Sequence, residues 1–215
     1  MSPLARSSSL DVGSTLPRSA TPRRETALRE QERQEVLVLL SGGIDSAACL
    51  DFYLDLGRTP CALFVDYGQL AAQPELRAAL AVADYYSVPI MCLRCEGASS
   101  KSTGLISGRN AFLVSAALLE CPKSVKVIAA GIHSGTDYSD CSGNFVDKMQ
   151  AVLDVYDEAG MQFAAPFLDW NKAHLIKYCL MRDVPLELTY SCERGFPPCG
   201  KCLSCKDRDG LDARA

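Results

Sequence analysis

The string Ser41-Gly42-Gly43-Ile44-Asp45-Ser46 separates an apolar run, Val36 to Leu40, from an Ala- and Leu-rich run, Ala47 to Leu56, that stops at Gly57. Five consecutive branched aliphatics predict a strand buried on both faces, and the second run predicts a helix with Gly57 as its C-cap. A tight glycine turn between a buried strand and a helix start presents unpaired backbone N–H groups and the positive end of the helix dipole, and the missing Cβ atoms let a phosphate approach closely. Ser41 and Ser46 add hydroxyl donors, and Asp45 is suited to a magnesium ion carried by a polyphosphate. Two adjacent glycines alone would also fit a βα turn whose glycines only relieve strain; the complete string favours an anion site.

Other phosphate loops do not fit. No G-x-G-x-x-G follows Leu40, and the Walker-like string Gly195 to Cys202 has Cys where Ser or Thr is needed, two internal prolines and no preceding strand.

Residues 1–34 are rich in Ser and Arg, contain Pro3, Pro17 and Pro22, and are expected to be a disordered or partly helical extension, with a transit peptide as the alternative. After the first helix, Cys61 to Val65 predicts a second strand closed by Asp66-Tyr67-Gly68-Gln69, and Leu70 to Tyr86 predicts a helix. Ile90 to Cys95 is expected to be a third strand, the small polar stretch Glu96 to Gly108 a mobile loop, Ala111 to Leu119 a helix and Val125 to Ala130 a fourth strand. Helices are also expected from Asn144 to Glu158 and from Asn171 to Arg182. This alternation predicts an α/β fold with a doubly wound, mainly parallel sheet, whose ligands bind at the carboxyl ends of the strands. The polar loops there, Asp66 to Gln69 and Gly131 to Cys141, are therefore candidate site loops. Lys172, at a helix start, is placed to reach a phosphate or is an ordinary surface lysine.

Cys192, Cys199, Cys202 and Cys205 form C-x6-C-G-x-C-x2-C, with Gly200 allowing a tight knuckle. Four convergent thiolates suit a structural zinc ion with no open coordination position; a redox pair and an iron–sulfur cluster are the alternatives. Such a metal would tie down a tail with too few apolar residues to fold alone. The chain thus divides into residues 1–34, a nucleotide-binding α/β unit at 35–185 and a zinc-binding tail at 186–215.

A net charge of −4 over 215 residues argues against a nucleic-acid backbone as partner, and no apolar run approaches the ~18 residues of a membrane span. Eleven cysteines, an odd count, point to reduced thiols and a cytoplasmic setting, with Cys49, Cys61, Cys92, Cys121 and Cys179 acting as small hydrophobes within apolar runs.

The glycine string resembles the pyrophosphate loop of the PP-loop ATP pyrophosphatases (HUP-like fold), which split ATP into AMP and pyrophosphate. Over about Val36 to Gly210 the chain resembles the 7-cyano-7-deazaguanine synthase family within that group. The matching strings are Ser41 to Ser46, Asp66 to Gln69, Gly108-Arg109-Asn110, Thr136 to Cys141, Lys172 and Thr189-Tyr190-Ser191-Cys192 with the three later cysteines. The resemblance implies ATP and Mg2+ as cosubstrate and cofactor, a tetracysteine Zn2+, a homodimer, and conversion of 7-carboxy-7-deazaguanine and ammonia into the nitrile of queuosine biosynthesis. It implies that Ser41, Gly42, Gly43, Asp45 and Ser46 bind ATP and that Asp45, Ser46 and Lys172 act in catalysis; by their placement in the loops, Tyr67, Gln69, Arg109, Asn110, His133, Asp137, Tyr138 and Asp140 are expected to handle the substrate.

The chain departs from the family where Ser142-Gly143 replaces a typical Arg, where Leu70-Ala71-Ala72 replaces basic residues, and at Ile132-His133-Ser134-Gly135. These changes lie where an acceptor would approach, and they admit an alternative in which the deazaguanine acyl group passes to a protein amine, as in antiphage relatives. Alternatives of other classes are a tRNA-thiolating PP-loop enzyme, for which Cys141 is available but the charge unsuitable, and an inactive zinc-ribbon binding module.

Overall fold

The computed structural model describes residues 35–96, 106–135, 138–156 and 160–212. Its centre is β1 (Val36–Leu39), flanked in parallel by β2 (Pro60–Asp66) and β4 (Val127–Ala129). Leu37 pairs with Cys61 on one side and Ile128 on the other. With β3 (Ile90–Arg94) beyond β2 and β5 (Gln162–Ala164) beyond β4, the order is β3-β2-β1-β4-β5, all parallel.

Alternation along β1 divides the core. Val36, Val38 and Leu40 face one layer, made of α1 (Ile44–Asp55), α2 (Ala72–Tyr85) and α5 (Lys172–Met181); Leu37 faces the other, made of α3 (Arg109–Glu120) and α4 (Gly143–Tyr156). Both faces are covered, so β1 reads as a continuous apolar run, and the doubly wound parallel sheet expected from the sequence is what forms. The order of winding reverses at β1, with β2 and β3 added on one side and β4 and β5 on the other, which opens a crevice at the carboxyl ends of β1 and β4.

Buried Asp51 on α1 ties one layer together: its carboxylate accepts from Tyr178 Oη at 2.6 Å, Arg182 Nε at 3.1 Å and Tyr86 Oη at 3.3 Å. At the C-terminal end, α6 (Leu203–Asp212) is pinned by Arg208, whose guanidinium donates to the Leu186 and Thr189 carbonyls at 2.8 Å each.

Several boundaries differ from expectation. α1 begins at Ile44 and α3 at Arg109, so Asp45, Ser46, Arg109 and Asn110 all lie in first helical turns rather than in loops. β5 was not expected, because three residues give too short a pattern, and α6 was not expected because its sequence is polar and contains Gly210. Cys49, Cys61 and Cys179 are buried, but Cys92 is exposed on edge strand β3 and Cys121 is only half-buried. The N-terminal extension, most of the loop before Gly108, and Asp137 lie outside the described residues. Among the described residues no helix is long and apolar enough to cross a membrane.

Candidate active site

The glycine string turns directly from β1 into α1. Gly42 has φ +82°, and a Cβ there would stand 2.4 Å from the Glu75 carbonyl oxygen and 2.8 Å from the Ala79 nitrogen. Only glycine lets the loop and the first turn of α2 approach this closely. Gly131, just past β4, is equally constrained, since its Cβ would fall 2.3 Å from the Asp45 carbonyl oxygen. The start of α1 is thus wedged between two elements at the crevice.

Within the loop, Ser46 Oγ donates to the Gly43 carbonyl at 2.9 Å and lies 3.1 Å from Ser41 Oγ. Asp45, in the first turn of α1, is bonded by the Lys172 ammonium from the start of α5, and His133 Nε2 lies 3.5 Å from its Oδ2. His133 Nδ1 accepts the Gly135 N–H at 3.1 Å, which leaves the ring proton on Nε2, on the side of Asp45. Burial works to raise the Asp45 pKa, but the His133 and Lys172 contacts outweigh it and hold the carboxyl below its ordinary range. A third of the Asp45 side-chain surface remains open.

These groups share a cleft of about 420 Å³ with Tyr67, Gln69, Arg109, Asn110 and Tyr138. Arg109 Nε donates to Asn110 Oδ1 at 3.2 Å, and Asn110 Nδ2 donates to the Asp140 carbonyl at 3.0 Å, which ties α3 to the turn before α4. Among the described residues Asp140 is not part of the cleft lining, and its buried Oδ1 finds no hydrogen-bond partner. The cleft also contains residues that sequence reasoning did not assign: Glu75 from α2, and Tyr190, Glu193, Ser204 and Asp207 from the cysteine segment. Glu75 lies in the first turn of α2, and the contact of that turn with Gly42 sets it beside the loop.

The sulfur atoms of Cys192, Cys199, Cys202 and Cys205 all lie within 4.8 Å of one another, with Cys199 and Cys205 at 3.9 Å. A tetrahedral zinc ion with Zn–S bonds of ~2.3 Å sets its sulfurs about 3.8 Å apart, so the four thiols fit such an ion. The knuckle is shaped by N–H···S contacts from Cys199 to Cys192 at 3.2 Å and from Lys201 and Cys202 to Cys199 at 3.4 Å each, with Gly200 at φ +62°. The two contacts to Cys199 draw its thiol down to about 6, as suits a metal-binding thiolate.

The family model described as "Queuosine biosynthesis protein QueC" matches residues 35–100 and 94–212. Similar curated proteins include 7-cyano-7-deazaguanine synthase of Prochlorococcus marinus strain NATL1A, 30% identical over 207 residues, with 82% of this chain and 92% of the relative covered. The protein of that name from strain NATL2A is 31% identical, covering 80% and 90% respectively. Among solved structures, NMN synthetase from Francisella tularensis aligns with a TM-score of 0.47 at 16% identity, covering 88% of this chain and 81% of its own. The glycine loop, the cleft at the sheet's switch point and the four-cysteine knuckle stand in one chain with a family match that spans all three, and the protein belongs to the QueC family of queuosine biosynthesis proteins.

Proposed function

We propose that this protein is an ATP-dependent ligase that adenylates 7-carboxy-7-deazaguanine and passes the activated acyl group to ammonia, giving first the amide and then the nitrile. The observation that carries this reading is a glycine turn at a helix start, with Asp45, Ser46 and Lys172, in the same cleft of about 420 Å³ as the side chains of Tyr67, Arg109, Asn110 and Tyr138.

A carboxylate is a poor electrophile because its leaving group would be oxide. Attack of its oxygen on the α-phosphorus of ATP expels pyrophosphate and converts that oxygen into part of an AMP leaving group. Backbone N–H groups of the loop, the Ser41 and Ser46 hydroxyls and Lys172 stabilise charge that builds on the phosphates. Asp45 would hold a magnesium ion, which when bound neutralises polyphosphate charge. Lys172, bonded to Asp45 in the first turn of α1, stands beside the loop and would contact the phosphates there. Ammonia then adds to the acyl carbon and AMP departs; a second adenylation, on the amide oxygen, followed by loss of AMP and a proton gives the nitrile.

The cysteine knuckle would hold one zinc ion as a structural clamp, since its four thiolates leave no position for substrate. A protein amine as acceptor is favoured by one observation: Leu70 is exposed, and it and two alanines follow the cleft residue Gln69 where the resemblance leads one to expect basic side chains. Mass spectrometry of a reaction containing the acid, ATP, Mg2+ and ammonium separates these outcomes. Nitrile supports the main reading, and amide alone, or a mass gain on a partner protein, supports the second. Unchanged acid together with no acid-dependent ATP–pyrophosphate exchange contradicts both.

A further inference from the structure

Gln69 was expected to contact substrate, yet its donors are already used. Its Nε2 donates to the Val65 carbonyl at 3.2 Å and to Glu75 Oε2 at 3.0 Å, while its Oε1 accepts the Tyr67 N–H at 2.9 Å. A primary amide has two N–H donors, and both are spent inside the protein. What this arrangement delivers to the cleft is the Glu75 carboxylate, half-buried and fixed in place.

Glu75 is held from two sides. Gln69 fixes its side chain, and the approach of its turn to Gly42 fixes its backbone against the phosphate loop. A carboxylate accepts about four hydrogen bonds, of which Gln69 supplies one. Leu39, Leu63, Val65 and Leu113 line the same cleft and offer apolar surface to a flat ring. Arg109, in the same cleft, is the cation close enough to offset the charge of Glu75. An anchored acceptor beside apolar walls selects a planar heterocycle with two adjacent N–H donors on one edge. A 2-aminopyrimidin-4-one presents such an edge through its ring N1–H and its exocyclic amine.

We propose that Glu75 is the specificity-determining residue of the cleft, accepting from the N1–H and 2-amino group of the substrate ring, and that Gln69 is a positioning residue that acts through it. This rests on the ligase reading above. It assigns the phosphates of ATP to the Ser41–Ser46 loop and the edge of the ring remote from the reacting carboxylate to the Glu75 side chain.

The test is ATP–pyrophosphate exchange driven by 7-carboxy-7-deazaguanine or by the same acid lacking its 2-amino group, in the wild type, Glu75→Ala, Glu75→Gln and Gln69→Ala. Loss of a charge-assisted hydrogen bond should lower wild-type kcat/KM for the desamino acid by about 10- to 100-fold. Glu75→Ala should handle the two acids within about twofold of each other, Glu75→Gln should discriminate less than the wild type, and Gln69→Ala should raise KM for the acid while KM for ATP holds. Equal use of the two acids by the wild type would overturn the assignment while leaving the ligase reading in place. Discrimination that survives in the Glu75 variants, or a rise in the KM for ATP that matches the rise for the acid, would also overturn it. Absence of exchange with either acid in the wild type would overturn both.

Discussion

The Tyr190 backbone N–H donates to the Gly42 carbonyl at 2.8 Å, joining the segment that leads into the cysteine knuckle to the centre of the phosphate loop. Two residues beyond Tyr190 stands Cys192, and Glu193, Ser204 and Asp207, all within the knuckle or α6, line the cleft. The cysteine segment is therefore a wall of the site, and a metal holding the four sulfurs would also hold that wall. Cys202→Ser is expected to lower bound zinc well below one per chain, lower the Tm, and raise KM for both ATP and the acid. Metal analysis together with steady-state kinetics checks this. Full activity in zinc-free protein would show that the knuckle does not support the cleft.

Asp45 meets Lys172 and His133 where the triphosphate is proposed to bind. Asp45→Asn and Lys172→Met are each expected to lower exchange by about 10²- to 10³-fold, the usual cost of removing a group that stabilises transition-state charge, with circular dichroism unchanged. The Asp45 pKa is depressed in the folded protein, so its stabilising contribution is present above the unfolded carboxylate value and is lost only as pH falls through the lower, folded value. The carboxylate should stay ionised throughout the neutral range, and the pH–rate profile of the wild type should show no acid limb from Asp45 above about pH 4.

Glu75 has the opposite sign. Burial raises its pKa above the ordinary range of a glutamate, with Asp66 and Glu193 adding to the rise against the Gln69 bond and Arg109. The folded protein then binds this proton more tightly than the unfolded chain does, and stability declines as pH rises through the raised value. Glu75→Gln is neutral at every pH and keeps the shape. It is expected to raise the Tm at pH 7 and to show no advantage below about pH 4, where both forms are uncharged. Thermal unfolding at the two pH values measures this; a lower Tm at pH 7 would mean that the carboxylate's contacts outweigh its burial.

The parts of this protein legible in its sequence are those where one local pattern has one physical meaning. Val36 to Leu40 is apolar at every position because both sheet faces are covered, and the glycine string follows because Gly42 has to meet α2. The four cysteines were legible because few other folds bring C-x2-C beside a glycine knuckle. Glu75 and Asp207 were not, since a carboxylate on a helix carries no local sign that it faces a cleft, and each gains its place there through contacts distant in sequence. For Gln69 the bonding was not legible: a sequence shows that an amide is present and not that its donors are already bonded. β5 escaped because Gln162-Phe163-Ala164 pairs only with β4 and has one inward position to reveal it.

The claim on which the rest depends is that a 7-deazaguanine carboxylic acid is adenylated at the Ser41–Ser46 loop. ATP–pyrophosphate exchange by the purified wild type, with and without 7-carboxy-7-deazaguanine and with no ammonium, measures this step alone. Exchange that requires the acid and is lost in Asp45→Asn is the expected result. Exchange that is indifferent to the acid, or that appears only with another carboxylate or with tRNA, would contradict it.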